Sequence, residues 1–241
     1  MCQFFSCLVL KDGSLCWHGL TNSHEDLVRV FQPGKDDGET FVRVEFIPPA
    51  SLVGQVGQGV FASPEAWTLK VDEAITPPWW AKKELDVEKS LCALIKRFQT
   101  VPPGGLVLDQ PVIIKAERVE IRAGICFASG SATVEARGSA TVEAYGSATV
   151  EAYNSATVEA HGSATVEAHD SATVKAQDSA TVEAWGSATV KAWGSATVRA
   201  YGLITVEAYA STTVEAYDFA TVKAYDSATV KAHGSATVKR F

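Results

Sequence analysis

SATVEARG-SATVEAYG-SATVEAYN, residues 131–154, is the stretch that decides the fold, because the same eight-residue phrase continues to SATVKRF at 235–241. Thr recurs at every eighth position from Thr133 to Thr237, and Val follows it from Val134 to Val238, which makes fourteen in-phase copies. A period of eight drifts against the 3.6 residues of a helical turn. It is an even number, so a strand keeps its facing from copy to copy. Within an octad Ala132, Val134 and Ala136 alternate with Ser131, Thr133 and Glu135. That is apolar-in, polar-out alternation with a β-branched centre. Position eight is Gly, Asp, Asn or Ala (Gly138, Asp170, Asn154, Ala210), which suits a turn. Each octad therefore reads as a short strand and a corner, and the stack of strands as a β-solenoid.

Two octads would make a flattened, two-sided coil of about 16 residues, and three would make a triangle of about 24. Only Ala, Val and Ala point inward on each face, and residues this small would leave a triangular interior with voids. Position one is Ser except at Leu203 and Phe219, two octads apart, which a two-sided coil places one above the other. Position-five charges do not separate the two models. The two-sided coil is the expectation. Upstream, Val112, Ile114, Val119, Ile121 and Ala123 alternate as bulkier, degenerate octads, so residues 104–130 read as linker and cap of the repeat at 131–241.

Residues 1–103 carry no repeat and read as a small α+β domain. Gln3–Leu10 and Ser14–His18 flank a Lys-Asp-Gly turn as a hairpin. Ser23 with Asp26 opens a helix through Phe31. Thr40–Phe46 and Trp67–Glu73 read as strands, and Lys82–Phe98 has helical spacing. The expected class is mainly β, a two-sided solenoid behind a small α+β domain. A net charge of −7 argues against a general nucleic-acid binder. The five cysteines are scattered and form no CxxC pair, as in reduced, cytosolic proteins. The N-terminus lacks the pattern of a signal peptide, and no stretch is long and apolar enough to span a bilayer.

The octads, with the opening MCQFFSCLVLKDG and the later VDEAITPPWW, resemble the SATVEAY-type octapeptide proteins of phages, prophages and gut bacteria. The resemblance implies a phage-associated protein in a bacterial cytoplasm. It brings no established activity.

Several features could carry chemistry. Cys2 would become an N-terminal nucleophile if Met1 were removed, as in N-terminal-nucleophile hydrolases, but Gln3 stands where the glutamine amidotransferases have Gly. Cys16, His18, His24 and Asp26 match no common zinc spacing, so neither a metal nor a cofactor is expected. Ser131- and Thr133-type hydroxyl columns resemble ice-binding faces, yet charged and aromatic residues share their outward parity. Position seven is nearly all aromatic or imidazole, Trp185 and Trp193 included, and suits either self-stacking or a partner. Position five opens with Glu135, Glu143, Glu151, Glu159 and Glu167, an acidic run able to present itself to a protein or to imitate DNA. Leu203 and Phe219, beside Tyr209 and Tyr225, form an outward apolar pair suited to contact. Val230, Val238 and Phe241 are expected at the interface of an end-to-end homodimer. The expected function is a non-catalytic interaction or scaffold protein. The alternatives are a DNA-mimicking inhibitor of a host protein and an N-terminal-Cys hydrolase.

Overall fold

A computed structural model of the chain describes residues 5–18, 23–35, 39–49, 58–102, 104–107 and 111–241. The chain divides into two compact units, Met1–Thr100 and Val101–Phe241. None of the described helices is long and apolar enough to cross a membrane.

The first unit holds an antiparallel sheet in the order β2-β1-β3-β4, made of Phe5–Leu10 (β1), Leu15–Cys16 (β2), Phe41–Ile47 (β3) and Thr68–Val71 (β4). Helices α1 (His24–Phe31) and α2 (Glu84–Phe98) accompany it. Alternation sorts the two faces. Leu8 packs with Phe41 and with Leu27 of α1, while on the other face the Phe5 ring lies 5.8 Å from Phe98 of α2. The Ser23 hydroxyl accepts the Asp26 backbone N–H, so the predicted cap starts α1. Register places Cys16 opposite Leu8, so Cys16 and Cys7 point to opposite faces. Burial pushes the Cys7 thiol up, and desolvation also raises Cys16 and Cys92, so none of these is an activated thiolate.

The second unit is the expected two-sided solenoid, with two octads, roughly 16 residues, per coil. Two parallel nine-stranded sheets contain alternate strands from Leu106–Val107 (β5) to Thr237–Arg240 (β22). We call the sheet that includes Thr133–Ala136 (β9) sheet 1, and the one that includes Thr141–Ala144 (β10) sheet 2. Each repeat strand pairs in register with the strand two octads on, as Val134 with Val150 and Val142 with Val158. Rows of Val and Ala from the two sheets form one core, and Val134 through Val222 are fully buried. Residues 104–130 carry the bulkier, degenerate octads. They contribute four strands to the same two sheets, with Val112, Ile114, Val119 and Ile121 inward and Cys126 standing at a Val position. Ala123 is half-buried; its neighbour Gly124 takes the buried place.

At most corners the carbonyl of position seven accepts the N–H of position two, as from Ala156 to Tyr153, which closes a four-residue turn. At Trp185 and Tyr201 the strands Thr181–Gly186 and Thr197–Gly202 instead run on into the corner and pair there. Position eight is left-handed throughout, at φ 60° for Asn154, 57° for Asp170 and 56° for Ala210. Asn and Asp tolerate this region by local hydrogen bonding, whereas Ala there costs about 1 kcal/mol. Gly194 is required for a second reason, since a Cβ would sit 2.9 Å from the Asp178 carbonyl oxygen.

Because equivalent strands alternate between sheets, removal of one whole octad leaves every later strand with a partner of its own kind. Deleting Ser147–Asn154 creates only two new pairings, those across the junction. Deletion of that octad, or of Ser147–Gly162, should lower the melting temperature by only a few degrees. Deleting Ser147–Val150 moves each later corner into a strand position and should split the transition in two. Calorimetry of the three variants checks this.

Candidate functional site

The chemistry-bearing side chains of the solenoid lie in columns, one residue per coil, at the ~4.8 Å spacing of neighbouring strands. Two aromatic columns run along the two corners. On the corner that follows sheet 1, Arg137 lies over the Tyr153 ring, and Tyr153, His169, Trp185, Tyr201, Tyr217 and His233 then form an unbroken stack. His169 is sandwiched at 4.8 and 4.9 Å, with interplanar angles of 8° on both sides. The other corner stacks Tyr145 on His161 and then Trp193, Tyr209, Tyr225 and Phe241. Gln177 stands in the gap. Trp185 and Trp193 are thus on opposite corners.

Position five forms the charged columns. The acidic run divides between faces, with Glu135, Glu151 and Glu167 on sheet 1 and Glu143 and Glu159 on sheet 2. Upstream, Glu120 pairs with Glu135, and downstream Glu167 pairs with Glu183, so sheet 1 carries five successive carboxylates. Arg122 and Arg137 neutralise Glu120, Arg137 also binds Glu135, and Arg199 binds Glu183 at 2.8 Å. Glu151 is held by the Tyr153 hydroxyl at 3.1 Å, and Glu167 is exposed. In the second half, runs of alternating sign close ladders, while Lys175 on Lys191 and Lys223 on Lys239 remain like-charge neighbours. Sheet 1 runs Glu183–Arg199–Glu215–Lys231, and sheet 2 runs Lys191–Glu207–Lys223 after Glu159–Lys175. Every opposite-sign pair of position-five neighbours, two octads apart, forms an ion pair.

Two bonding patterns could not be read from the octad alone. Where Tyr at position seven follows Glu at position five, its hydroxyl donates to that carboxylate: Tyr145 to Glu143, Tyr153 to Glu151, Tyr209 to Glu207 and Tyr217 to Glu215. Desolvation pushes the Glu143 carboxyl up, and burial with the Glu143 bond pushes Tyr145 up. At the corners, Asp170, Asp178 and Asp226 each accept the backbone N–H of position eight one coil earlier, those of Asn154, Gly162 and Ala210. Spacing shows the signal once the coil length is known, because no Asp at position eight has another Asp two octads away.

The remaining candidates fall as follows. Leu203 and Phe219 are 67% and 65% exposed and occupy successive coils of one corner. Their neighbours there are Tyr201 and Tyr217, each just upstream; Tyr209 and Tyr225 belong to the opposite corner. Val230 and Val238 are half-buried, and Phe241 is exposed but stacked 4.9 Å from Tyr225. Cys2 lies outside the described residues. His24 is buried, donating to the Val44 carbonyl with its other ring nitrogen 3.3 Å from Asp72, while Asp26 binds Arg29. Cys16, His18, His24 and Asp26 do not converge, and among the described residues no group of three or more potential metal ligands occurs.

No family model, curated protein or solved structure matches this chain.

Two outcomes follow from the columns. Gln177→Tyr should bridge His161 to Trp193 and stabilise the solenoid by about 0.5–1.5 kcal/mol per new ring pair, read as a raised melting temperature. Glu207 is held below the ordinary carboxylate range, first by its bond from Lys191 and then by Lys223. A lowered folded value means stability that is present above the unfolded value and lost as pH falls through the folded one. Glu207→Gln should therefore melt lower than the parent at neutral pH and converge with it in acid. The difference should shrink in high salt, because the pairs are exposed.

Proposed function

We propose that this chain is a non-catalytic interaction or scaffold protein that works in a bacterial cytoplasm, phage-associated, by presenting columns of charge and stacked rings to a protein partner. The observation that carries this reading is the separation of roles within the octad. Positions two, four and six build the core, while five and seven vary on the outside of a regular, in-register stack of strands. In-register pairing locks the outward groups at fixed intervals, so binding costs little ordering of the surface. Glu151 and Glu167 on sheet 1 are the acidic centre of the display, flanked by Tyr153, His169 and Trp185.

The DNA-mimicking reading draws on the five carboxylates of sheet 1. Charge density weighs against it. One strand of B-DNA carries a charge about every 3.4 Å, while this column carries one per ~4.8 Å and is neutralised at both ends by arginine. The hydrolase reading rests on Cys2, and retention of Met1 in the intact mass would end it.

The purified chain, immobilised and exposed to bacterial lysate, should retain a discrete protein that mass spectrometry identifies. Glu151→Lys with Glu167→Lys should lose it at unchanged melting temperature. Retention by that variant, or capture of nucleic acid instead, would overturn the reading.

A further inference from the structure

The repeat departs from itself most in one place. Leu203 and Phe219 replace Ser, Ile204 and Thr212 replace Ala, and Ala210 takes the turn position, all between positions 203 and 219. Ile204 and Thr212 are buried and serve the local core, with the Thr212 hydroxyl donating to the Tyr209 carbonyl. Leu203 and Phe219 do the opposite. They put large apolar side chains into water at a position where Ser is otherwise constant, and where Ser147, Ser187 and Ser227 donate to the corner carbonyl of the coil before. Two adjacent coils thus forgo a hydroxyl that the repeat supplies and expose apolar surface in exchange. With the Tyr201 and Tyr217 rings stacked 4.8 Å apart just upstream, the corner carries a two-by-two apolar array.

We propose that this corner is a self-association surface, and that its occupant is the same corner of a second copy of the chain, running antiparallel. The sheet-1 charges beside the array select that partner. Consider a two-fold axis perpendicular to the solenoid, passing midway between the Leu203 and Phe219 coils. It sets Leu203 against the partner's Phe219 and Tyr201 against the partner's Tyr217. On sheet 1 beside the array it sets Arg199 against the partner's Glu215, and one coil further out Glu183 against the partner's Lys231. At the turn, the exposed Asp218 meets the partner's Gly202. Every position-five charge of sheet 1 within two coils of the axis faces its opposite. A parallel pairing of the same corners would set Arg199 on Arg199, Glu215 on Glu215 and Asp218 on Asp218. An apolar centre with a complementary charged rim is the anatomy of an isologous interface. The surface deepens the interaction role proposed above, and the mass of the purified chain tests it apart from any heterologous partner.

The decisive variant returns both positions to the residue the repeat uses elsewhere. Leu203→Ser with Phe219→Ser restores two corner hydroxyls and so keeps the fold. Light scattering of the full chain at micromolar concentration should give twice the chain mass, and the double variant should give the chain mass at an unchanged or raised melting temperature. Orientation is read by cysteine pairing. The axis sets Ser187 against the partner's Ser235, so Ser187→Cys and Ser235→Cys chains, mixed and oxidised, should form a mixed disulfide dimer above the background of the parent chain. Each variant alone should not, because its two thiols would lie about three coils, ~14 Å, apart. A parent chain that is monomeric, a dimer that survives the double serine variant (as an end-to-end dimer through Val230, Val238 and Phe241 would), or same-with-same crosslinking would each overturn the proposal.

Discussion

Each residue of the solenoid lies directly on its equivalent two octads away, in parallel and in register, and this stacking is the constraint to which the other features answer. A side chain must be compatible with its own equivalent at ~4.8 Å on both sides. Val meets that condition inside because its branched body fills the space between sheets without gaps. Aromatic rings meet it at the corners because the strand spacing suits offset stacking, which is why centroid separations between 4.6 and 4.9 Å recur along both corners. Charge meets it poorly. Much of the second half of the chain resolves the conflict by alternation of sign, and part of the first half by flanking arginines and tyrosine hydroxyls. Like-charge neighbours such as Lys223 on Lys239 remain. At the turns, an Asp in the left-handed conformation is admitted only above or below a residue without charge.

Much of this was legible in the sequence, and the missing parts share a cause. An even period with a β-branched centre specifies strands, and small inward residues exclude a wide coil. Leu203 and Phe219, two octads apart, point to the same geometry from outside. Charges at position five could not arbitrate, because the column holds real like-charge neighbours, Glu135 on Glu151 and Lys175 on Lys191, next to paired ones. Their exposure keeps the penalty small, so the fold tolerates a pattern that a simple rule would reject. The Asp–backbone bonds and the division of the five glutamates between faces appear only when residues are laid out by coil. The opposite-corner position of Tyr209 relative to Leu203 has the same origin. Tyr209 follows Leu203 in the chain, but the strand between them spans the full width of the sheet.

The α+β unit was readable for a different reason. Its signals are local: a Lys-Asp-Gly turn between alternating runs, a Ser cap, and apolar positions at helical spacing from Leu85 to Phe98. What sequence did not indicate is how its polar groups are used. His24, weighed as a metal ligand, is a buried tie that joins the first turn of α1 to the Val44 carbonyl and to Asp72 beyond β4. A buried imidazole with two partners on different segments is satisfied as it stands, so its role is to position α1 on the sheet.

A near-perfect repeat also makes its exceptions informative. In an ordinary domain an exposed Leu and Phe would mean little, since much of any folded surface is apolar. Here thirteen-fold comparison within one chain supplies the expectation at each position, and twelve octads place Ser where these two place Leu and Phe. The change loses hydroxyl bonds of the kind seen at Ser147, Ser187 and Ser227 and contributes nothing to the core, because both side chains remain in water. Stability within the chain therefore does not explain it. The sheet-1 charges around the pair reverse sign across its midpoint, Glu183 and Arg199 on one side, Glu215 and Lys231 on the other. Within the chain that order closes ion pairs along one column. Under a two-fold axis the same order is self-complementary, so a ladder that stabilises a single solenoid also prepares its corner to meet another.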